Sequence, residues 1–385
     1  MTKLDYWLWL SLKNNMGHNK ITKLLEIFES PEEIYNTPKR KLLKTDGLSK
    51  EEIKELSNKS FKKVQSVKDE CRKLGIRILT YDSSYYPEKL KHLPDPPYVL
   101  YVKSRERINL NDKLCIAVVG NRLMTDYGRG AAIDISKGLA VSGAVVVSGM
   151  ARGIDGAAHT GALRVNGLTV AVLGCGLDIA YPPEHSEMMG AIAEAGMVIS
   201  EYPPGTPPLA QNFPVRNRII SGLSDGVVVV EAPDKSGSLI TADLALQQGR
   251  DVFAVPGDIT RGHSKGTNDL IRQGAILATS AFDILSEYNE KYINLLTEHT
   301  NNSSLDNTEI DVEEKTFEFP NDGRYDSLSE LSKKIVYNLT LTPVHFDTLL
   351  SKFDVSVDEL TGELVMLEID GFIKTLPGKN FILNI

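Results

Sequence analysis

Six short apolar runs rich in β-branched residues occupy the middle of the chain: LCIAVVG (114–120), AVVVSG (144–149), LTVAVLG (168–174), MVISEY (197–202), GVVVVEA (226–232) and DVFAVPG (251–257). None alternates polar with apolar residues, which is the pattern of strands buried on both faces of a parallel sheet. Helical stretches at 127–141, 155–165, 184–194, 214–222 and 239–248 separate them. The β-α alternation predicts an α/β fold with a doubly wound, mainly parallel sheet. Ligands in that architecture sit beyond the carboxyl ends of the strands, where loops enter helix N-termini. The search for function therefore narrows to those loops.

The flanks have a different texture. Residues 1–75 carry apolar positions at helical spacing (Ile21, Leu24, Leu25, Phe28), with further helices expected at 31–36 and 51–72, the latter capped by Ser49 with Glu52 closing a capping box. A glycine precedes two of these helices, as in sterile-alpha-motif (SAM) and helix-hairpin-helix units. The domain reads as helical packing, with phosphate binding by its turns as the alternative. Residues 76–287 form the sheet domain, entered through the proline-rich segment 76–103. From 288 to 326 the composition shifts to Asn, Ser, Thr and Glu, an acidic linker predicted to be disordered. Residues 327–385 resume with helices at 328–338, 345–353 and 356–373 and a hairpin around Pro377-Gly378, the pattern of a winged helix.

Charge is unevenly spread. Residues 1–112 hold 22 Lys/Arg against 16 Asp/Glu, residues 113–285 hold 13 against 16, and residues 286–385 hold 8 against 19. An anion site in the middle section must therefore be local, built from a few placed arginines and backbone amides. No apolar run reaches the roughly 18 residues of a membrane span, and MTKLDYWLWLSLKNN is too short and polar-flanked for a signal peptide, so a cytoplasmic protein with no membrane partner is expected. Cys71, Cys115 and Cys175 are odd in number and far apart, which supports neither a disulfide framework nor a cysteine zinc site.

Five loops carry candidate chemistry. In VVGNRLMTDYG (118–128), Gly120, Asn121 and Arg122 follow a strand; a dinucleotide fingerprint would need glycines where Arg122 and Thr125 stand. A guanidinium there suits a bidentate anion contact, the alternative being a surface pair with Asp126. In SGMARGIDGAAH (148–159), the amides near Gly149 and the side chain of Arg152 can hold an anion, with Asp155 placed as a helix N-cap. His159, four residues on, makes either a structural contact with Asp155 or an acid/base pair with it; with no nucleophile nearby the structural contact is preferred. In LGCGLDIAYPPEH (173–185), Cys175 reads as a small buried residue rather than a nucleophile. QNFPVRNRIISGLSDG (211–226) joins Phe213 to Arg216, Asn217 and Arg218, the pairing by which single-stranded nucleic acids are held: rings stack bases while guanidiniums hold the backbone. Finally, Lys235, Ser236, Gly237 and Ser238 offer a further anion contact at a helix start. Neither a metal-ligand cluster nor a Walker motif nor a Ser/His/Asp order accompanies these loops, so no catalytic residue, metal or cofactor is assigned.

The ordered set VVGNRxxxxYG, SGMARGIDGAAH, VLGCGLDIAYPPEH, NFPVRNRIISGLS and SGSLITADLALQQGRDVFAVPG, preceded by YYPEKLKHLPDPPYVLYVK, resembles the DNA-processing protein A (DprA, or Smf) family over about residues 75–285. The resemblance implies an extended Rossmann-like domain that homodimerises and binds single-stranded DNA irrespective of sequence. It further implies protection of that DNA and loading of RecA onto it during natural transformation and recombination, without a cofactor or catalytic turnover. The family's DNA-contacting arginine falls on Arg122, and its RNR segment on Arg216, Asn217 and Arg218. Two departures stand out. Asn121 replaces the usual Ser or Thr, and Pro183, Glu184 and His185 replace a run that often carries Lys and Asn, removing one cation.

The rival reading is a nucleotide-sensing or phosphoribohydrolase-like protein of the same fold superfamily. Those enzymes carry a catalytic Glu in P-G-G-x-G-T-x-x-E, whereas the corresponding turn here is SGSLIT, with Thr241 in its place. Asp155, His159 and Thr241 are accordingly expected as structural residues of the pocket. In the winged helix, the presumed recognition helix 356–369 bears Asp358, Glu359, Glu363 and Glu368 and no Lys or Arg. Phosphate contact supplies most non-specific affinity, so a protein-contact or regulatory module is expected there.

Overall fold

The computed structural model describes residues 1–14, 16–288, 292, 328–339, 344–353, 355–376 and 379–383, in two compact units, 1–300 and 301–385. In the first unit nine strands form one sheet: β1 (Arg77–Thr80), β2 (Val99–Lys103), β3 (Cys115–Val119), β4 (Val145–Ser148), β5 (Thr169–Leu173), β6 (Met197–Ser200), β7 (Gly226–Val229), β8 (Asp251–Ala254) and β9 (Ile276–Leu277). Their order is β1-β2-β6-β5-β4-β3-β7-β8-β9. Each of the six apolar runs supplies one parallel strand, β9 adds a seventh, and β1 and β2 extend the β6 edge in antiparallel fashion. The missing alternation has a direct cause. Cys115, Ala117 and Val119 of β3 pack into the core on one face, and Ile116 and Val118 into the core on the other.

The winding locates the ligand crevice. From β3 the chain moves outward through β4, β5 and β6, then crosses back to the other side of β3 for β7, β8 and β9. Connections from β3 and β7 thus leave in opposite directions, and the gap between them at the strand C-termini is a topological switch point. Helices Asp126–Val141, Ile154–Leu163, Ser186–Ala195, Asn212–Leu223 and Gly237–Gln247 occupy the stretches expected to be helical.

The N-terminal helices are Lys3–Ser11, His18–Ile27, Pro31–Asn36, Lys39–Leu42, Lys50–Ser57 and Lys62–Lys73. The Ser49/Glu52 capping box forms as expected. The single helix expected over 51–72 is instead two. Asn58 Oδ1 accepts the Ser60 amide (3.1 Å) and Ser60 Oγ the Lys62 amide (3.3 Å), so side chains replace the helical ladder at the break. Trp7, Trp9, Leu24 and Leu56 share one core with Tyr98, Tyr101, Ala171 and Leu173 of the sheet. Trp7 lies flat on Tyr98, centroids 5.5 Å apart and planes 13° apart. The packing therefore runs without a gap across the boundary expected near residue 75.

In the second unit, helices Glu330–Asn338, Phe346–Lys352 and Val357–Ile369 pack with a three-stranded sheet of Val344–His345, Ile373–Leu376 and Asn380–Leu383. Ile335, Leu349, Leu360, Leu364, Ile373 and Phe381 form its core. Glu363 accepts the Ser329 and Ser332 hydroxyls, and Glu368 the Thr375 amide (2.8 Å) and hydroxyl (2.7 Å). The Pro377-Gly378 turn and nearly all of the expected linker fall outside the described residues.

Asp225 fastens the entry of β7 to its neighbours. Its buried carboxylate accepts the Cys115 amide (3.0 Å), the Tyr292 hydroxyl (2.8 Å) and the Lys89 ammonium. Burial pushes this carboxyl up, but the Lys89 charge and the hydrogen bonds outweigh it and hold it below the ordinary Asp value. A depressed folded-state value contributes stability that is present above the unfolded value of about 3.9 and is lost as pH falls through the folded one. Asp225→Ala should lower unfolding free energy by about 3–5 kcal/mol at neutral pH, because Lys89 is left without its charge partner. Denaturation midpoints across pH should also fall less steeply in acid for the variant than for the wild type; parallel acid limbs would refute the assignment.

Candidate nucleic-acid interface

A cavity of about 670 Å³ opens at the switch point. The loop after β3 lines it with Gly120, Asn121 and Arg122, the helix Asn212–Leu223 with Phe213, Arg216 and Asn217, and the loop after β7 with Lys235, Ser236, Gly237 and Ser238. Asp155 and Thr241 complete its floor as buried polar side chains. Residues scattered over more than a hundred positions thus converge because all follow strand C-termini or begin the next helix.

The first loop is held by a residue the sequence reading passed over. Glu231, 1% exposed at the end of the β7 run, accepts the Thr125 amide (2.9 Å) and hydroxyl (2.9 Å) with its carboxylate, and its carbonyl accepts the Asn121 amide (2.7 Å). Asn121 Oδ1 accepts the Leu123 amide (3.2 Å) and its Nδ2 lies 3.3 Å from His263 Nδ1, so this side chain shapes the loop. Gly153 keeps a φ of +77°, and a Cβ there would collide with the Asn121 carbonyl. Arg122 is left exposed, and among the described residues it has no ion-pair partner; the alternative pairing with Asp126 does not form. Its guanidinium stands 5.8 Å from the centre of the Phe213 ring.

On the helix Asn212–Leu223, positions 213, 216, 217 and 220 share one face, and all four line the cavity. Arg216 is 4% exposed yet reaches the wall: its Nη1 donates to the carbonyls of Gly149 (2.7 Å) and Val172, and its guanidinium carbon lies 5.8 Å from the Phe213 ring. Burial lowers its pKa and the adjacent Asp155 raises it. Burial likewise raises the Asp155 carboxyl, which Arg216 and the Ala151 amide (3.3 Å) pull back. A side chain at Gly149 would run into this pair, 2.7 Å from Asp155 Oδ2.

Arg218, expected among the DNA contacts, faces the other way. Two residues along a helix is about 200° of rotation, so it cannot share the cavity with Arg216. It donates from Nε to Asp95 (2.8 Å) and from Nη2 to both oxygens of Glu201 (2.8 and 2.9 Å), is 4% exposed, and fastens the helix to the approach segment and the β6 end. Asp155 is likewise not the N-cap; Gly153 is, and Asp155 sits in the first turn. The expected Asp155–His159 contact is replaced by another. His159 Nδ1 donates to Thr169 Oγ1 (2.8 Å), whose own hydrogen goes to the Val146 carbonyl (2.8 Å). Complete burial lowers the His159 pKa to about 3, and the ring does not reach the cavity, so it is a neutral core residue rather than an acid/base group.

Gly149 and Arg152 line a small annex with Arg122, Tyr181, Phe213 and Arg216 rather than the main cavity. Arg152 is paired there with Glu184. His185 Nδ1 donates to the Met150 carbonyl (3.0 Å). Cys175 is buried, its thiol pushed up to about 11 by desolvation, as an inert core residue should be. Tyr181, which the sequence reading did not select, lies 5.3 Å ring to ring from Phe213 and widens the aromatic wall. The available signal was its place in the loop after β5. Ser236 caps the helix Gly237–Gln247, its Oγ accepting the Ser238 amide (3.3 Å), and exposed Lys235 stands at the same mouth. Among the described residues no group of three His, Cys, Asp or Glu is placed to hold a metal ion, and no helix is long and apolar enough to cross a membrane.

Comparison with known proteins gives the same loops a lineage. The family described as DNA recombination-mediator protein A matches residues 77–289, and a DprA winged helix domain matches residues 320–379. Protein Smf of Escherichia coli K12 is 39% identical over 302 residues, covering 78% of this chain and 76% of its own. Protein Smf of Synechocystis is 33% identical over 396 residues and 98% of each chain. The X-ray structure of DNA processing protein A from Streptococcus pneumoniae superposes with a TM-score of 0.65 at 35% identity, covering 74% of this chain and 98% of that one. With the sheet domain and the winged helix both matched by its models, this chain belongs to the DNA recombination-mediator protein A (DprA/Smf) family.

Proposed function

We propose that the loop-end cavity binds single-stranded DNA irrespective of sequence. The observation that carries this is the aromatic wall of Phe213 and Tyr181 flanked by two guanidiniums, exposed Arg122 and buried Arg216, facing the amides and hydroxyls of a helix N-terminus at Ser236–Ser238. Rings accept any base by stacking, cations accept any phosphate, and neither reads base edges. A duplex keeps its bases inside the stack, so the aromatic wall favours a single strand. With few free cations at the cavity, intrinsic affinity is modest, and a homodimer that places two cavities on one strand would multiply it. In keeping with family names that speak of DNA processing and recombination mediation, the role proposed is to shield a single strand and deliver it to RecA during transformation and recombination. The pocket favours holding over hydrolysis: Thr241 offers no base, and the carboxylate of Asp155 is engaged by Arg216.

Fluorescence anisotropy with labelled oligonucleotides tests the reading. Wild type should prefer the single strand to the duplex, and Arg122→Ala should weaken it at least tenfold, with the slope of log affinity against log salt shallower by about 0.7 for one lost phosphate contact. RecA filament assembly on a single strand should be accelerated by wild type and not by this variant. Absence of single-strand binding would transfer the cavity to a smaller ligand such as a nucleotide. A second expectation concerns the winged helix. The helix Val357–Ile369 carries four carboxylates and no cation, so a 327–385 fragment should show no tight duplex binding, and submicromolar affinity at physiological salt would overturn its assignment as a protein-contact module.

A further inference from the structure

The sheet domain is short of cations, but the N-terminal helices hold a group that the cavity does not use. Lys13 Nζ stands 4.5 Å from the Trp9 ring and donates to the Asn58 carbonyl (2.6 Å). Lys59 Nζ stands 5.0 Å from both the Trp9 and Tyr35 rings and donates to the Ile34 carbonyl (3.3 Å). Lys63 Nζ donates to the Leu12 carbonyl (3.1 Å). Elsewhere in these helices Lys20, Lys41 and Lys68 each have a carboxylate partner. Among the described residues Lys13, Lys59 and Lys63 have none within ion-pair distance.

The acceptors are carbonyls at helix C-termini, which carry at most about half a negative charge per helix. They orient the ammonium groups without neutralising them. Each ammonium has three hydrogens to donate and one carbonyl partner, so donors remain for an outside anion. The cluster pays an electrostatic cost for its geometry. Burial lowers Lys13 and Lys59 to about 8 each; Glu55 pulls Lys13 up, while Lys63 pushes Lys13 down and Lys13 pushes Lys59 down. A bound anion would relieve that repulsion.

We propose that Lys13, Lys59 and Lys63 form a second phosphate-binding patch, which holds a phosphodiester of the same single strand that occupies the loop-end cavity. This rests on the single-strand reading of that cavity. One chain segment links the two neighbourhoods. Leu12, the acceptor of Lys63, lines a cleft of about 170 Å³ with Tyr202 and Pro203. The segment that these two residues begin continues to Pro208 and Ala210, which line the main cavity. A strand leaving the cavity along 203–210 is led to the lysines.

The test uses the full chain with single-stranded oligonucleotides of about 8 and about 30 nucleotides, the shorter sized for one binding site. At pH 7 the double variant Lys13→Gln/Lys59→Gln should bind the long strand about tenfold more weakly, with a salt slope shallower by about 1.4 for two lost contacts, and bind the short strand as wild type does. Lys13→Arg/Lys59→Arg should restore long-strand binding. Lysines near pH 8 lose charge as pH rises, whereas arginine does not. Wild-type long-strand affinity should therefore fall between pH 7 and 9 while the Arg pair holds level. The patch is overturned if the Gln pair binds the long strand like wild type, or if wild type and the Arg pair share one flat pH profile. Failure of the cavity reading looks different: Arg122→Ala then binds like wild type while the Gln pair is still impaired. Absence of any wild-type binding to single strands rejects both.

Discussion

A buried cation organises the site. Arg216 crosses beneath the loop ends and draws the carbonyls of Gly149 and Val172, at the ends of β4 and β5, onto one guanidinium group. An arginine so enclosed is costly unless its charge is matched, and Asp155 from the next helix supplies the match. The pair in turn leaves no room for a side chain at Gly149. Two strands, two helices and a glycine are thereby fixed relative to one another before any ligand arrives. Glu231 does the equivalent on the other side of the crevice, fastening the Thr125 end of the Arg122 loop to the β7 end. With both walls fixed, a ligand entering the cavity does not have to order the protein around it, and that ordering would otherwise be subtracted from its affinity.

The strands were legible because burial on both faces leaves a direct mark on composition, and all six apolar runs lie in the sheet where parallel pairing requires. The loops were legible for a related reason: in a doubly wound sheet every strand C-terminus points to one edge. The sequence reading failed where the answer depended on direction or on distant partners. Arg216 and Arg218 look equivalent in RNR, but a separation of two residues on a helix sends them to opposite sides, one to the cavity and one to Asp95 and Glu201. Asp155 and His159 share a helical face, yet Arg216 claims the first and Thr169 the second. Glu231 gives no local sign of its role, because its partners lie more than a hundred residues earlier.

The same accounting explains why so few charges at the cavity are free. Of the arginines near it, Arg218 is committed to two carboxylates and Arg152 to Glu184, while Arg216 is spent on backbone carbonyls and Asp155. Arg122 is exposed, rests against the Phe213 ring, and has no ion-pair partner among the described residues. Glu184, in the run after Tyr181-Pro182, occupies the Arg152 guanidinium. A phosphate approaching the annex must compete with that carboxylate for Arg152.

On the proposed single-strand reading, this distribution suits a protein that must let go of its strand. Long-range attraction by a strongly basic cavity would raise affinity at every phosphate and slow release along with it. On that reading, stacking on Phe213 and Tyr181 would add affinity only for unpaired bases, so discrimination against duplex would be retained while total charge stays low. The proposed lysine patch on the N-terminal helices would then lengthen the contact without deepening the central well. Such a strand could be peeled from its ends by a partner that binds it more tightly, without the cavity having to open.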